Sequence, residues 1–529
     1  MEAGSPPAPG QTALVVGGGI SGLLAARELA QAGVAVTLLE ATDSWGGCVG
    51  RHEVAGLALD SGAESFATRS SAVADLAREL GLGDAIVAPH PGGAWVQLPE
   101  GPRELPKTGV LGIPANPWDP EVRRSLGIAG SLRASLDRIL PASMGTTADV
   151  TSVSALVLAR MGRRVLTRLV EPVVGGVHSA DPALLDVDMV APGLRAGIVR
   201  HGSLAAAVAA QRRAQAAGGQ ATGGQAAPAQ AAPAQAAPAQ AAPAQTAGAK
   251  AGSAVAGLKG GMHTLVSALV ADLRRRGVEM VTGSRARSAT RTHDGWRIVA
   301  DAATIGNETG SQPNGPGATT YDAGLLVVAL DGPAAIGLLE DAVPALAGHR
   351  PGPGPEVKLV TLVVDLPELD RRPRGTGVLV APQTPGIRAK ALTHATAKWD
   401  WLATEAGPGR HVVRLSYGRR DGTVPDGADR ASHNATALPD DSDLLELALQ
   451  DASALLTVPV TADSLVGWDV VSWPGALPFA AVGHRQRVSE VRRICGDSDG
   501  LMLVGGWLAG NGLAAVVADT RTQLRGFLQ

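Results

Sequence analysis

The first hydrophobic run of the chain predicts a nucleotide-binding βαβ unit. An apolar strand, Ala13–Val16, leads into the glycine-rich motif GGGISG at residues 17–22, a helical pattern ending near Gln31, and a second apolar strand ending on Glu40. The glycines permit a tight turn and let the backbone approach a pyrophosphate at the helix N-terminus. Glu40 is placed to accept hydrogen bonds from a ribose diol. This pattern is typical of both FAD and NAD sites, and alone it does not separate them.

The later hydrophobic pattern predicts mixed strands and helices. Residues 151–182 place apolar side chains near helical spacing and predict an amphipathic helix followed by a turn at Gly175 and Gly176. A helix is predicted from about Met262 to Arg276, and a strand at Val278–Thr282. Runs of β-branched residues predict strands in WRIVADA, AGLLVVAL, EVKLVTLVVDL and RHVVRLSYG. The chain closes as it opens, on a strand, a glycine turn and a helix.

One segment departs from this pattern. A five-residue repeat at Gln225–Gln245 lies inside an Ala/Gly/Gln/Pro-rich stretch, 211–252. The stretch has few large apolar groups to bury and recurring prolines that interrupt helices, so we expect a disordered insertion. We also expect a disordered lead-in at residues 1–10.

Length, charge and cysteine content limit the kinds of protein that this chain can be. A chain of 529 residues is too long for one core and predicts two or three domains. A net charge of -3 gives no basic footprint for nucleic acid. With only Cys48 and Cys495, a disulfide framework is not expected, and a reducing cytoplasm fits. We see neither a signal peptide nor an uncharged apolar run of about 18 residues, while peripheral contact with a membrane surface stays open.

Further glycine-rich elements favour FAD over NAD. Gly46 and Gly47 follow six residues after Glu40, the segment DSGAESF spans Asp60–Phe66, and LVGGWLAGNGLAAV lies near the end of the chain. An extended FAD needs additional loops that pass close to it, and glycine permits that approach. We find no His/Asp pair and no cluster of metal ligands, so we nominate neither a catalytic side chain nor a metal site. A cofactor would carry the chemistry.

These elements resemble the flavin amine oxidase superfamily. The stretches LPKTGVLGIPANP, RILPAS, ARMGRRVLTRLVEPVVGGVHSADP, LKGGMHTLV and VVSWPGALPFAAVGHRQRV narrow the resemblance to the bacterial oxygen-dependent protoporphyrinogen and coproporphyrinogen III oxidases. The likeness covers nearly the whole chain apart from the Gln/Ala/Pro insertion.

The resemblance implies an α/β fold, α+β overall, with a Rossmann-like FAD-binding domain, a mixed-sheet substrate domain and a helical insertion. The FAD-binding domain would comprise residues 11–85, 253–335 and 490–529. A mainly helical domain, 90–205, would be the part that meets a membrane surface. The substrate-binding domain would span 340–488.

The resemblance also implies a set of FAD contacts at the pyrophosphate turn, the ribose acid, the second glycine loop, the GAES segment and the C-terminal turn. These residues are Gly17, Gly18, Gly19, Ile20, Ser21, Gly22, Glu40, Ala41, Gly47, Cys48, Gly62, Ala63, Glu64, Ser65, Ala286, Trp473, Leu513, Ala514 and Ala515. The chain departs from the family pattern in two places. In the C-terminal turn and helix, Ala514 and Ala515 stand where Pro and Asp are common and Thr520 where a glycine is common; near the second glycine loop, Ser44 stands where an arginine would reach the pyrophosphate.

Four residues are candidates for substrate contact. Arg69 would anchor a propionate, because guanidinium groups bind carboxylates in a bidentate manner, although an ordinary solvated arginine is equally expected there. Gly175 and Gly176 would let the backbone meet a tetrapyrrole. Lys358 interrupts an apolar strand, so we expect it either at a sheet edge or facing the flavin or a propionate.

The implied reaction is the six-electron oxidation of coproporphyrinogen III to coproporphyrin III in haem biosynthesis, with hydride transfer to FAD and release of hydrogen peroxide from oxygen. We favour this substrate over protoporphyrinogen IX because the composition suggests an actinobacterial lineage. A protoporphyrinogen oxidase, a flavin amine oxidase and a non-catalytic FAD-binding scaffold are the alternatives. Aromatic residues make up only 3% of the chain, which argues against the aromatic cage of amine oxidases. A downstream haem-pathway enzyme could be a partner, and the oligomeric state stays open.

Overall fold

A computed structural model describes most of the chain. The described residues are 11–106, 110–147, 150–178, 181–221, 255–303, 317–354, 356–418, 440–475, 483–510 and 512–528. The lead-in, 1–10, and the repeat at Gln225–Gln245 lie outside them, so the expectations for both segments stay predictions. The expected start of the disordered insertion at residue 211 is wrong, because residues 211–221 continue a helix, Leu204–Ala221.

The regular elements are distributed along the whole described chain. The strands are β1 (Thr12–Val16), β2 (Ala35–Leu39), β3 (Arg51–Val54), β4 (Leu57–Asp60), β5 (Phe66–Ala67), β6 (Ile86–Val87), β7 (Trp95–Leu98), β8 (Gly101–Glu104), β9 (Val255–Leu258), β10 (Glu279–Val281), β11 (Ala286–Thr292), β12 (Gly295–Asp301), β13 (Ala318–Ala323), β14 (Leu325–Val328), β15 (Val357–Asp365), β16 (Gly377–Val380), β17 (Ala391–His394), β18 (Arg410–Tyr417), β19 (Leu465–Trp473) and β20 (Leu501–Leu503). The helices are α1 (Ile20–Gln31), α2 (Ala72–Glu79), α3 (Pro120–Ser135), α4 (Val153–Arg160), α5 (Arg163–Val165), α6 (Glu171–His178), α7 (Val187–Val190), α8 (Leu194–His201), α9 (Leu204–Ala221), α10 (His263–Arg275), α11 (Gly332–Leu339), α12 (Ala395–Lys398), α13 (Asp400–Ala406), α14 (Asp441–Leu456), α15 (His484–Gly496), α16 (Gly506–Ala509) and α17 (Leu513–Phe527).

The first sheet is parallel and has the strand order β10-β2-β1-β14-β20. Its strands are short apolar runs because the sheet is covered on both faces. Helices α1, α10 and α17 pack on one face. Helices α11 and α15, with the meander β11-β12-β13, pack on the other. The predicted mixed α/β fold with a Rossmann-like unit is confirmed.

The second sheet has the order β19-β15-β18-β17-β16-β7-β8. Its pairings are antiparallel except for β16 with β7. Helix α14 covers one face of β15 to β18. Strands β7 and β8 belong to this sheet although the sequence analysis assigned their residues to the helical domain, so the boundary between these two regions differs from the predicted one.

Helices α3 to α9 share a separate apolar core. The single amphipathic helix predicted for 151–182 is wrong, because Gly162 with a φ of +87° ends α4 and a π-helical stretch, Leu166–Val170, precedes α6. The predicted turn at Gly175 and Gly176 is also wrong, since both glycines lie inside α6. Gly176 serves packing instead. A Cβ there would approach Leu379 of β16 to 2.5 Å.

A fully buried ion pair holds the helical region together. The Nε of Arg160 donates to Asp137 at 2.5 Å, and its other nitrogens donate to four backbone carbonyls. Asp137 also accepts from the backbone N–H groups of Leu204 and Ala205 at the start of α9. Because both charged groups are fully hydrogen-bonded, the pair is tolerated in the core, and removing one partner alone would be costly.

Candidate functional site

The glycine turn after β1 leaves open space before helix α1. A Cβ on Gly22 would lie 1.8 Å from the carbonyl oxygen of Gly17, so the helix can begin here only with glycine at that position. A Cβ on Gly19 would meet no atom within 4 Å. Helix α1 has no side-chain cap and no acidic residue in its first turn. Its unpaired N–H groups therefore remain available to an anion.

Helix α17 provides a second uncapped N-terminus beside the first. Arg521 of α17 donates to Glu28 of α1 at 3.0 Å, and each residue lies eight positions after the start of its helix. Because α1 and α17 follow the parallel strands β1 and β20 and pack on the same face of the sheet, they run in the same direction, and this contact sets their N-termini at a similar level. Helix α17 begins at Leu513 after Gly512, with no side-chain cap and no acid in its first turn. The positive ends of two helix dipoles thus face the same side of the molecule.

Glu40 braces the glycine turn and keeps capacity for a ligand. Its Oε2 accepts from the backbone N–H of Gly18 at 2.7 Å, and its Oε1 accepts from the N–H and the hydroxyl of Thr42 at 2.8 Å. A carboxylate has about four acceptor sites, so further donors such as ribose hydroxyls can still bind. The carbonyl of Glu40 accepts from the N–H of Ser284, which brings the neighbouring Ala286 at the start of β11 to this end of the site.

The second glycine loop connects the turn with the GAES segment. The N–H of Gly46 donates to the carbonyl of Gly18 at 2.8 Å, and the N–H of Ala63 donates to the carbonyl of Cys48 at 2.9 Å. A Cβ on Gly62 would lie 2.2 Å from that same carbonyl oxygen of Cys48. The residues 17–22, 46–48 and 60–65 therefore form one continuous path, in the order expected of an extended dinucleotide.

Asp60 anchors this path to helix α10, a role that the sequence analysis missed. Its carboxylate accepts from the backbone N–H groups of Met262 and His263 at 2.9 Å, and its Oδ1 lies 3.0 Å from His263 Nδ1. The carboxylate thus caps the N-terminus of α10. The signal was present as an acid at the end of β4 and a glycine pair before α10, but nothing in the sequence relates two segments 202 residues apart.

The second sheet contacts the GAES segment through two long side chains. Trp473 on β19 donates its indole N–H to the carbonyl of Ser61 at 3.0 Å. Arg414 on β18 donates to the carbonyls of Asp60 and Gly62 at 3.1 and 2.9 Å. Trp473 thus contacts the GAES segment, and its predicted role as an FAD contact stays a prediction, while Arg414 was not nominated.

Glu64, Lys398 and Arg414 form an ion cluster at this junction. Lys398 Nζ lies 2.5 Å from Glu64 Oε1, and Arg414 Nη2 lies 3.1 Å from Glu64 Oε2. The three side chains are only 13–15% exposed. Burial alone would raise the pKa of Glu64, but the charges of Lys398 and Arg414 outweigh it and lower that pKa to about 2. Glu64 is therefore ionised at neutral pH.

One face of the second sheet is partly open next to the ion cluster. Four side chains in register across β15, β18, β17 and β16 are half-buried, and we call them the slot face: Leu359, Ser416, Ala391 and Leu379. Their neighbours on the opposite face are buried under α14, and we call these the packed face: Val360, Leu415, Leu392 and Val378. Helix α6 crosses above Leu379, and a Cβ on Gly175 would meet no atom within 4 Å. Space is therefore left above small and apolar side chains.

The comparisons with known proteins agree with this arrangement. The family model described as flavin containing amine oxidoreductase matches residues 20–519. The chain belongs to this family.

Several relatives that match nearly the whole chain are named as porphyrinogen oxidases. The chain is 30% identical to the coproporphyrinogen III oxidase of Propionibacterium freudenreichii, covering 96% of this chain and 89% of that protein. It is 28% identical to the coproporphyrinogen III oxidase of Mycobacterium leprae, covering 95% of each. A crystal structure from Exiguobacterium, provisionally named a protoporphyrinogen oxidase, shares the fold with a TM-score of 0.70, 21% identity and 98% coverage of both chains.

The family has a flavin cofactor, and the described residues fit one. The uncapped helix N-termini, the open space at Gly19 and the path through Gly47 and Gly62 are features that a dinucleotide would use. No described group of three His, Cys, Asp or Glu side chains is arranged to hold a metal ion. No described helix combines the length and apolar character needed to cross a bilayer.

Lys358 does not face the proposed cofactor in this flavin amine oxidoreductase, which corrects the expectation of a substrate or flavin contact. Side chains alternate along β15, and Lys358 shares the packed face with Val360. Its Nζ lies 3.1 Å from Asp441 Oδ1 in the first turn of α14. The lysine avoids the cost of burial by pairing with this carboxylate at the edge of the apolar layer.

Arg69 remains a candidate anchor. It lies between β5 and α2, and its side chain is exposed. Among the described residues we find no hydrogen bond or ion pair made by its guanidinium. The position suits a charged ligand group, and its role in substrate binding stays a prediction.

Proposed function

We propose that this flavin amine oxidoreductase binds FAD and uses molecular oxygen to oxidise coproporphyrinogen III to coproporphyrin III in haem biosynthesis, with release of hydrogen peroxide. The observation that carries the proposal is the slot face, a half-buried row of small and apolar side chains beside the GAES segment. A flat apolar surface next to the cofactor suits a macrocycle, whereas an amine oxidase would hold its substrate in an aromatic cage, for which this chain has few aromatic residues. The names and coverage of the relatives support the same reaction.

The FAD contacts follow the path described above. The pyrophosphate would lie before α1 and α17, the adenosine ribose at Glu40, and the adenine near Ala286. The flavin ring would lie along residues 62–65, which the second sheet supports through Trp473 and Arg414. The absence of the family arginine at Ser44 is offset in this arrangement by the two uncapped helix N-termini.

The protein would bind the substrate through shape and charge. The slot face and the open side of α6 at Gly175 would hold the tetrapyrrole plane. Arg69 would pair with a propionate carboxylate, which favours bidentate guanidinium contacts. Coproporphyrinogen III carries four propionates and protoporphyrinogen IX carries two, so the former would use more cationic contacts around the slot.

Little acid–base chemistry is required of the side chains. When bound, FAD would supply the oxidant: in each of three rounds it would accept a hydride from a bridging carbon, and the substrate would also release one proton, which the formation of hydrogen peroxide consumes. The protein must hold that carbon near the flavin and keep water away. Each round consumes one oxygen molecule and forms one hydrogen peroxide, so six electrons leave the substrate in total.

Anaerobic addition of coproporphyrinogen III to the purified flavoprotein tests the reaction. Bleaching of the flavin absorbance, with appearance of the porphyrin spectrum, is expected. A flavin that stays oxidised would reject the proposal in favour of a scaffold. Initial rates on coproporphyrinogen III and protoporphyrinogen IX test the substrate, and faster turnover of the latter would reverse the assignment. A panel of primary amines tests the remaining alternative.

We also propose a cytoplasmic location with peripheral membrane contact through the helical region. Ile128, Leu132 and Ile139 are 66%, 56% and 78% exposed, and they follow one side of α3 and the turn after it. Such an apolar stripe is typical of surfaces that enter the boundary of a bilayer. Flotation with anionic vesicles is expected to recover the protein, and the Ile128→Ser/Leu132→Ser/Ile139→Ser variant is expected to remain at the bottom of the gradient.

A further inference from the structure

The ion cluster contains two cations and one carboxylate in a poorly solvated place. Lys398 comes from α12, Arg414 from β18, and Glu64 from the GAES segment. Because each side chain is at most 15% exposed, solvent screens their charges weakly. The ionised Glu64 balances one of the two positive charges.

Two neighbouring acids, Asp60 and Asp400, form no ion pair with Lys398 or Arg414 among the described contacts. The carboxylate of Asp60 is turned to the N-terminus of α10, where it accepts from Met262 and His263. Asp400, which follows α12 closely, pairs with His90 and Arg372. Within the ion cluster itself, two cations and one carboxylate therefore leave a net positive charge beside residues 62–64.

This charge lies where the electronics of a flavin would respond to it. Arg414 donates to the carbonyl of Gly62, one residue from Ala63, in the segment proposed to follow the flavin ring. Hydride transfer to an oxidised flavin adds two electrons and one proton, so the reduced ring gains one negative charge. Positive charge nearby favours that reduced form, and negative charge opposes it.

We propose that the ion cluster sets the reduction potential of the bound flavin, with Lys398 and Arg414 raising it and Glu64 limiting the rise. Lys398 and Glu64 act in this as positioning and tuning residues rather than as catalytic ones. The inference rests on the flavin position proposed above, and it does not depend on the identity of the substrate.

Charge variants test the inference because they predict shifts of opposite sign. Lys398→Met removes a positive charge and is expected to lower the two-electron midpoint potential of the flavin. Glu64→Gln removes the negative charge and is expected to raise it. Each shift should be at least tenfold in the reduction equilibrium, about 30 mV for a two-electron couple. Anaerobic titration with redox dyes measures it on the flavoprotein without any porphyrinogen, so failure here is distinct from failure of the proposed reaction.

Three controls separate charge from structure. Lys358→Met removes a comparable Lys–Asp contact on the packed face and should leave the potential unchanged. Lys398→Arg and Arg414→Lys preserve charge and should also leave it unchanged, although Arg414→Lys should release flavin more readily because its contacts to two carbonyls are lost.

Two results would overturn the inference. Shifts of the same sign in Lys398→Met and Glu64→Gln, or no shift in either, would mean that the cluster only supports the fold. A rise in KM for coproporphyrinogen III in Lys398→Met at an unchanged potential would instead assign the lysine to a propionate. If Lys398→Met does not retain flavin, a comparison of Glu64→Gln with Lys398→Arg still tests the inference, because only Glu64→Gln should shift the midpoint potential of the flavin.

Discussion

The two faces of the second sheet have different surroundings although they belong to the same strands. On the packed face, Leu415 and Val360 have no exposed surface, and helix α14 covers them. On the slot face, their immediate neighbours Ser416 and Leu359 are half-buried, and helix α6 leaves space above the row at Gly175. Since side chains alternate along a strand, stability and ligand binding are assigned to alternate positions of each strand. Substitutions one residue apart should therefore have unlike effects.

The largest expected effect is on the packed face. Leu415→Ala should lower the free energy of unfolding by about 2–5 kcal/mol, because a fully buried leucine leaves a cavity under α14. Urea denaturation followed by circular dichroism measures the change. The matched variant Leu359→Ala should cost less than half as much and act mainly on substrate KM. Equal losses in the two variants would contradict the distinction between the faces.

Acid should act next, on the packed face, where His394 of β17 lies in register with Val413 of β18. Burial, with the neighbouring His411 and Arg372, lowers the pKa of His394 to about 3. His394 is therefore neutral in the folded protein but protonated when unfolded below about pH 6.5. Its contribution to stability is lost as pH falls from about 6.5 to 3, at about 1.4 kcal/mol per pH unit.

The variant His394→Gln measures this contribution. Its stability should vary less steeply with pH over that window than the stability of the parent protein. Glu64, with its pKa near 2, should contribute only to the loss between about pH 4.3 and 2, so Glu64→Gln should leave the upper window unchanged. An unchanged slope in His394→Gln would assign the acid sensitivity to other groups.

The space above the slot face provides the third test. Gly175→Leu should raise KM for coproporphyrinogen III by about tenfold, since a side chain there enters the open space. Flavin content should not change. Gly175→Ala should gain about 0.5–1 kcal/mol of stability, because alanine favours the helix and meets no atom within 4 Å. A normal KM in the leucine variant would place the substrate elsewhere.

The smallest effects are expected at the two charged candidates. Arg69→Ala should raise KM for coproporphyrinogen III severalfold with unchanged stability and flavin content, because an exposed guanidinium contributes to binding and little to folding. Lys358→Met should leave KM unchanged and cost about 0–1 kcal/mol of stability, as is usual for a partly exposed ion pair. Steady-state kinetics measures KM for both variants. A changed KM in Lys358→Met with an unchanged KM in Arg69→Ala would reverse these assignments.

The sequence predicted the elements that local chemistry determines. The turn at Gly17–Gly22, the flanking strands and the final helix follow from spacing and composition. The turn at Gly175 was predicted wrongly because a glycine pair can end a helix or let it approach a strand, and only the position of Leu379 decides. The face on which the Lys358 side chain lies depends on the sheet register and on α14, which begins 83 residues later.

The ion cluster was not predicted from the sequence, for a related reason. Glu64 was nominated, but its partners Lys398 and Arg414 lie more than 300 residues further along the chain. No local motif marks either cation, since each belongs to an ordinary segment of helix or strand. Their proximity is a result of the second sheet docking against the GAES segment, which requires the tertiary structure.

The parallel packing of α1 and α17 has a consequence for biosynthesis. Strand β20 pairs with β14, and α17 docks on α1 through Arg521 and Glu28. During translation the nucleotide turn emerges early, but its second helix N-terminus emerges only after almost all other described residues. Until then the edge of β14 is unpaired, which is a known hazard for association between chains. The nucleotide turn, its neighbouring strand edge and the second helix N-terminus are therefore assembled together only after α17 has been synthesised and has docked.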